Sequence, residues 1–323
     1  MALAERPEPR AAAGQVVVEV AAAGICGTDL HIFDDEYASR PPVTRGHEVS
    51  GVVVELGEGV DAAWRGARVV TETYFSTCGR CEFCRSGRIN LCLERRSIGS
   101  FADGGFAPRV VLPARGLHRV PDRLSDEAAA LCEPLACVCQ ALVDPPAVAP
   151  GDRVLVTGPG PIGLLAAQVA RAAGGAVQIV GTAGDALRLE AARAMGFAAA
   201  AVEDEPESPA DVVIECSGSG SGMTLCLQSV RRGGRYVQIG LAGKPVSVPL
   251  DEVCFRELVV SGANASTPAS WRRALRLVAA GSVELAPLVS EVVPLAEWER
   301  AFGAARAGQG IKYVLDPRTP LSG

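Results

Sequence analysis

Histidine is scarce in this chain. Only His31, His47 and His118 occur among 323 residues, so imidazole chemistry has few places to sit. Equally missing is a run of roughly 20 apolar residues, the length a membrane-spanning helix needs. The best candidate, Ala128–Val143, is interrupted by Glu133 and Pro134. Met1–Gly14 is rich in Ala, Arg and Pro and lacks the apolar centre of a secretion signal. A basic stripe is absent too, and the formal net charge is −6, so nucleic acid is not expected as a partner. The eleven cysteines are odd in number, with four crowded together, which does not suit a secreted disulfide framework. A reducing, cytoplasmic setting is expected, with metal as the reason for the cluster.

What is present reads as an ordinary globular balance, 48% apolar and 21% charged, over a length that calls for two domains. From Gln15 to about Arg119, short apolar runs predict strands at Val16–Val20, Val49–Leu56, Ala67–Thr71 and Arg109–Leu112. From Asp152 to about Ala263 the pattern becomes strand then helix. Strands are predicted at Arg153–Thr157, Val177–Val180, Asp211–Glu215 and Arg235–Ile239, and helices at Pro161–Ala173, Asp185–Met195 and Met223–Arg231. Repeated units of this kind imply a parallel sheet covered on both faces. The acidic Glu203–Pro209 reads as a solvated loop. Beyond it, a helix at Ser270–Ala280, a strand at Leu288–Val293 and a helix around Glu297–Ala307 close the chain.

The sharpest motif is Cys78-x2-Cys81-x2-Cys84-x7-Cys92. Four thiolates close a tetrahedral zinc shell, so such a site shapes a loop rather than catalysing. An iron–sulfur cluster is the alternative, but its usual run ends with a three-residue gap and a proline, whereas Leu93 follows Cys92 here. A second constellation joins Cys26, in Cys26-Gly27-Thr28-Asp29-Leu30-His31, to Gly46-His47-Glu48. Thiolate, imidazole and carboxylate are what a catalytic zinc uses when one position stays open. Glu133 lies in a largely apolar stretch, where a carboxylate needs a metal or an arginine partner. His118 lacks metal-type spacing and reads as surface or structural. The remaining cysteines, Cys132, Cys137, Cys139, Cys216, Cys226 and Cys254, read as small buried hydrophobes.

Gly158-Pro159-Gly160-Pro161-Ile162-Gly163 follows a strand and opens a helix, the context in which G-x-G-x-x-G cradles a dinucleotide pyrophosphate. Where an acid usually takes the ribose hydroxyls, this chain has Thr182. Arg188 could then neutralise a 2′-phosphate, or Asp185 could reach the ribose by a looser turn. NADP is slightly favoured, and NAD stays open.

Together these motifs, with Glu133-Pro134-Leu135 and Gly233-Gly234-Arg235, resemble the zinc-containing medium-chain dehydrogenases, most closely the sorbitol (L-iditol) and threonine dehydrogenase branch. The resemblance runs from Val16 to Pro317. It implies an α/β fold: a mostly-β GroES-like catalytic domain over 1–135 and 264–323, and a Rossmann doubly wound parallel-sheet cofactor domain over 136–263. It further implies two zincs. Cys26, His47 and Glu48 would hold the catalytic ion, with Glu133 as an alternating ligand or holder of its water. Cys78, Cys81, Cys84 and Cys92 would hold the structural one. Ile162 and Thr182 would lie at the pyrophosphate and adenosine side, and Ile239, Gly240 and Leu241 near the nicotinamide. Thr28 would accept the alcohol proton and His31 would pass it to solvent. Relatives usually begin with a further strand, which this chain lacks. The expected activity is hydride transfer from a polyol or other secondary alcohol to NAD(P)+. Threonine or a simple secondary alcohol is the alternative substrate, and a non-catalytic zinc- and nucleotide-binding protein is the rival from another class. A homodimer or homotetramer is expected.

Overall fold

The computed structural model describes residues 1–202 and 209–319, so most of the Glu203–Pro209 stretch lies outside the described residues. The chain divides into two compact units. The first comprises 1–133, 266–271 and 285–323, and the second comprises 134–265 and 272–284.

The first unit is built on a mixed sheet whose centre is Gln15–Gly24. That strand pairs antiparallel with Glu48–Leu56 along one edge. Its other edge is shared by Arg109–Pro113 and the final strand, Lys312–Asp316. Arg68–Thr71, Leu117–Arg119 and Val289–Pro294 complete the sheet. Alternation in Val16, Val18 and Val20 sends one row of side chains into a core with Val49, Val53, Leu112, Leu315 and the aromatic pair Trp298 and Phe302. The strand also slips register between Val20 and Ala22, and such irregularities re-aim the residues that follow. Gly24, at its end, stands opposite Glu48.

The second unit carries a six-stranded parallel sheet in the order Ala198–Ala201, Ala176–Gly181, Arg153–Thr157, Ala210–Glu215, Val230–Gln238, Val259–Gly262. Helices Pro161–Ala172, Ala186–Ala194 and Gly220–Ser229 connect strands, as the strand-then-helix pattern predicts. Leu155, Val180, Val213, Cys226 and Leu227 are buried in one core cluster of this unit. No helix among the described residues is long and apolar enough to cross a membrane.

Candidate active site and metal centres

The two zinc constellations are each gathered by the fold. Among the described residues, one ligand atom from each of Cys26, His47 and Glu48 lies within 4.8 Å of the others, and the same holds for Cys78, Cys81, Cys84 and Cys92.

Backbone turns explain the first group. Cys26 directly precedes the helix Gly27–Phe33, and Asp29 in that helix accepts from the Cys26 amide at 2.9 Å. The other Asp29 oxygen lies 3.6 Å from His47 Nδ1. A carboxylate behind one ring nitrogen fixes the imidazole's orientation and leaves the opposite nitrogen for a ligand. Burial pulls the His47 imidazole down, but the Asp29 charge, then that of Cys26, carries it well above its ordinary value.

Glu48 is fully buried at the start of its strand. One carboxylate oxygen accepts from Lys312 Nζ at 2.6 Å, and that ammonium also donates to the Ile25 carbonyl at 2.9 Å. Its second oxygen, Oε2, is buried without a hydrogen-bond partner. Gly24 makes room for that oxygen, since a Cβ there would stand 2.1 Å away from it. An orphaned buried carboxylate oxygen beside a thiol and an imidazole is what an absent cation leaves, and the donor set suits zinc. Glu133 does not join this three-membered group; it is buried in the first turn of Cys132–Leu142 and its Oε1 accepts from Thr73 Oγ1 at 2.8 Å.

Within the four-cysteine lobe, amides point at sulfur. Cys78, Cys81 and Cys84 donate to Cys92, Cys78 and Cys81 respectively, each at 3.4 Å. Amides of Arg80 and Cys81 bring the Cys78 thiol down to about 6. All four cysteines are free of disulfides. Thiols held this close without bonding to one another fit a metal shell.

Thr28 and His31 lie three residues apart on the Gly27–Phe33 helix, hence on one face. His31 Nδ1 is 2.7 Å from Glu36 Oε2. His118 is structural: it stacks on Trp271 with ring centroids 5.1 Å apart and meets Glu72 at 3.1 Å.

In the second unit Gly158, at φ +86°, turns the chain out of Arg153–Thr157, and Gly160 caps the helix Pro161–Ala172. A Cβ at Gly163 would stand 1.8 Å from the Gly158 carbonyl, so helix and turn touch there, whereas one at Gly160 would meet nothing within 4 Å. Close packing on one side and open space on the other is the shape a pyrophosphate needs. Ile162 is half-buried in the first turn of that helix, and Ile239, Gly240 and the exposed Leu241 follow the strand Val230–Gln238. Thr182 follows Ala176–Gly181, and its amide and hydroxyl both donate to Asp185 Oδ2, at 3.0 and 2.8 Å. Arg188 lies 3.6 Å from the other Asp185 oxygen.

Sequence reasoning missed Asp29, Thr73, Glu36 and Lys312 as partners. A lysine inside the apolar run Ile311–Leu315 was the available signal, because a buried ammonium needs an anion. One expectation is corrected: Cys254 is exposed rather than a buried hydrophobe, because Asp251–Phe255 is a five-residue helix with no buried face.

The alcohol dehydrogenase GroES-like domain family matches residues 12–122, and the zinc-binding dehydrogenase family matches 161–280. The sorbitol dehydrogenase of Halalkalibacterium halodurans is 39% identical, the alignment covering 98% of this chain and 95% of the relative. The D-arabitol-phosphate dehydrogenase of Enterococcus avium is 35% identical over 98% of this chain and 94% of its own. A zinc-binding dehydrogenase from Sinorhizobium meliloti, solved with NADP, superposes with a TM-score of 0.86 at 35% identity, covering 96% of this chain and 94% of that one. The chain belongs to the zinc-containing medium-chain dehydrogenase family, in its sorbitol and threonine dehydrogenase branch. It is a zinc-dependent alcohol dehydrogenase that uses NAD or NADP.

Proposed function

We propose that the alcohol is a polyol oxidised at a secondary carbon, with Cys26, His47 and Glu48 holding the catalytic zinc and Glu133 beside them. The observation that carries this reading is the buried, unpartnered Glu48 Oε2 within the three-residue group. Similarity to sorbitol and arabitol-phosphate dehydrogenases supports the polyol. Cys78, Cys81, Cys84 and Cys92 hold a second, structural zinc. We assign 1–133, 266–271 and 285–323 to catalysis, and 134–265 and 272–284, a segment expected in the catalytic domain, to the cofactor.

Bound zinc supplies Lewis acidity toward a hydroxyl oxygen, and bound nicotinamide supplies the hydride acceptor. Thr28 accepts the alcohol proton through its hydroxyl, and His31, on the same helix face, hands it to solvent. Glu36 holds His31 Nδ1 as the donating nitrogen, so Nε2 is the one that accepts. On the cofactor side, Gly158, Gly160, Ile162 and Gly163 take the pyrophosphate, and Ile239, Gly240 and Leu241 the nicotinamide. Thr182 and Arg188 stand where the ribose acid is expected and favour NADP slightly, while the Asp185 carboxylate held by Thr182 keeps NAD open.

The open edge of the parallel sheet suggests a dimer. Among the described residues, Val259–Gly262 pairs only with Val230–Gln238, and Val259, Val260 and nearby Phe255 are exposed. Unpaired edge strands with apolar side chains invite a second copy. The eleven disulfide-free cysteines favour a cytoplasmic home.

Nicotinamide reduction, followed in the near ultraviolet, tests the substrate. Zinc-loaded protein is offered sorbitol, xylitol, threonine and 2,3-butanediol, each with NAD+ and NADP+. Turnover fastest with a polyol is the expected result; turnover confined to threonine or the butanediol would overturn the polyol reading.

A further inference from the structure

Glu215 ends the central strand Ala210–Glu215 and is completely buried. Its flanking partners in the sheet, Thr157 and Gln238, are also strand ends. Ligands of open parallel sheets bind outside these carboxyl ends. The Glu215 carbonyl accepts from the amides of Ile239 and Gly240, both at 2.9 Å. Its carboxylate takes up the rest of the crevice wall. Oε1 accepts from the Ser217 amide at 2.8 Å, from the Ser217 hydroxyl, and from Thr157 Oγ1 at 3.4 Å. The Gly218 amide is shared between Oε1 and Oε2, at 3.1 and 3.2 Å. Gln238 Nε2 donates to Oε2 at 2.7 Å and to the Gly240 carbonyl at the same distance. A Cβ on Gly240 would fall 2.6 Å from Oε2, so the segment proposed for the nicotinamide closes over the carboxylate.

Every one of those partners is a neutral dipole, and no ion pair to Glu215 exists among the described residues. A carboxylate withdrawn from water without a counter-ion is costly. Hydrogen bonding alone does not require the charge, because neutral side chains can tie loops together. A cation arriving from outside gives the charge a use. Of the two cofactor states, only the oxidised nicotinamide ring is positive.

Resting on the cofactor reading above, we propose that Glu215 underlies the nicotinamide half-site, and that its buried charge strengthens binding of the oxidised cofactor relative to the reduced one, compared with a neutral side chain at that position. The dipoles around the carboxylate fix where it stands.

The test is titration calorimetry of wild type, Glu215→Gln and Gln238→Lys with NAD+ and NADH, repeated with NADP+ and NADPH. The first variant removes the charge. The second brings an ammonium to it from a half-buried position, so the proposal stays testable if the first does not fold. Both are expected to weaken the oxidised form by about tenfold while the reduced form changes by less than about twofold. Equal weakening of both forms would leave Glu215 as a structural tie and overturn the charge role. Unchanged binding of both would overturn the proposal altogether. A wild type that binds neither form would instead overturn the cofactor reading.

Discussion

At the scale of single residues, the proposed catalytic group depends on a buried ion pair that no motif announces. Lys312 comes from the last strand and Glu48 from the second, and both are almost wholly buried. Removing one partner of such a pair strands the other charge, at a cost of about 3–5 kcal/mol. Lys312→Met is therefore expected to lower the stability of the zinc-free protein by about that amount in urea titrations. A change below about 1 kcal/mol would show that Glu48 does not need the ammonium. Cys26→Ser should leave about one zinc per chain instead of about two, with the fold intact and activity lost. Full metal content and turnover in that variant would remove Cys26 from the site. The members of both close groups were legible in the sequence because thiols and imidazoles are rare and their spacing is informative. Their supporting partners were not, since Asp29, Glu36, Thr73 and Lys312 are common residue types whose meaning comes only from the contact.

At the scale of elements, strands and helices with strong local signals fall where the sequence puts them. Arg153–Thr157 matches its predicted bounds, and Pro161–Ala172 ends one residue earlier than predicted. The helix Gly220–Ser229 starts three residues before the expected Met223. Its first turn is Gly-Ser-Gly, poor in helix propensity, and it forms because Ser219 caps it, accepting from the Gly222 amide at 3.0 Å. Two short strands, Val259–Gly262 and Lys312–Asp316, gave no alternating pattern to read, and pairing with neighbours defines them. Asp211 shows how strand ends are tied. It accepts from the Arg153 amide at 2.9 Å and from Arg231 Nε at 2.6 Å, and these bonds, the amide's first, hold its carboxyl down to about 2. A carboxyl depressed on folding adds stability above its unfolded value near 4, and that stability drains away as pH falls toward 2. The melting-temperature gap between wild type and Asp211→Asn should be constant above about pH 5 and close by about pH 2. A gap that does not vary with pH would mean the carboxyl is not depressed.

At the scale of the whole molecule, one unit supplies a metal-binding group and the other a dinucleotide crevice, and the reaction class follows from having both in one chain. The proposed edge-to-edge dimer is tested by sedimentation of Val260→Lys, a charge placed at the open edge of the parallel sheet. A dimeric wild type and a monomeric variant are expected; a variant that sediments like wild type would move the interface elsewhere. Catalytic zinc bound by Cys26, His47 and Glu48 is the central claim, and the most direct measurement is turnover during controlled metal removal. Chelation that takes out the open-site ion and spares the four-cysteine site should abolish NAD(P)H formation. Adding back about one equivalent of zinc should restore it. Undiminished turnover by protein holding only the four-cysteine zinc would contradict the account.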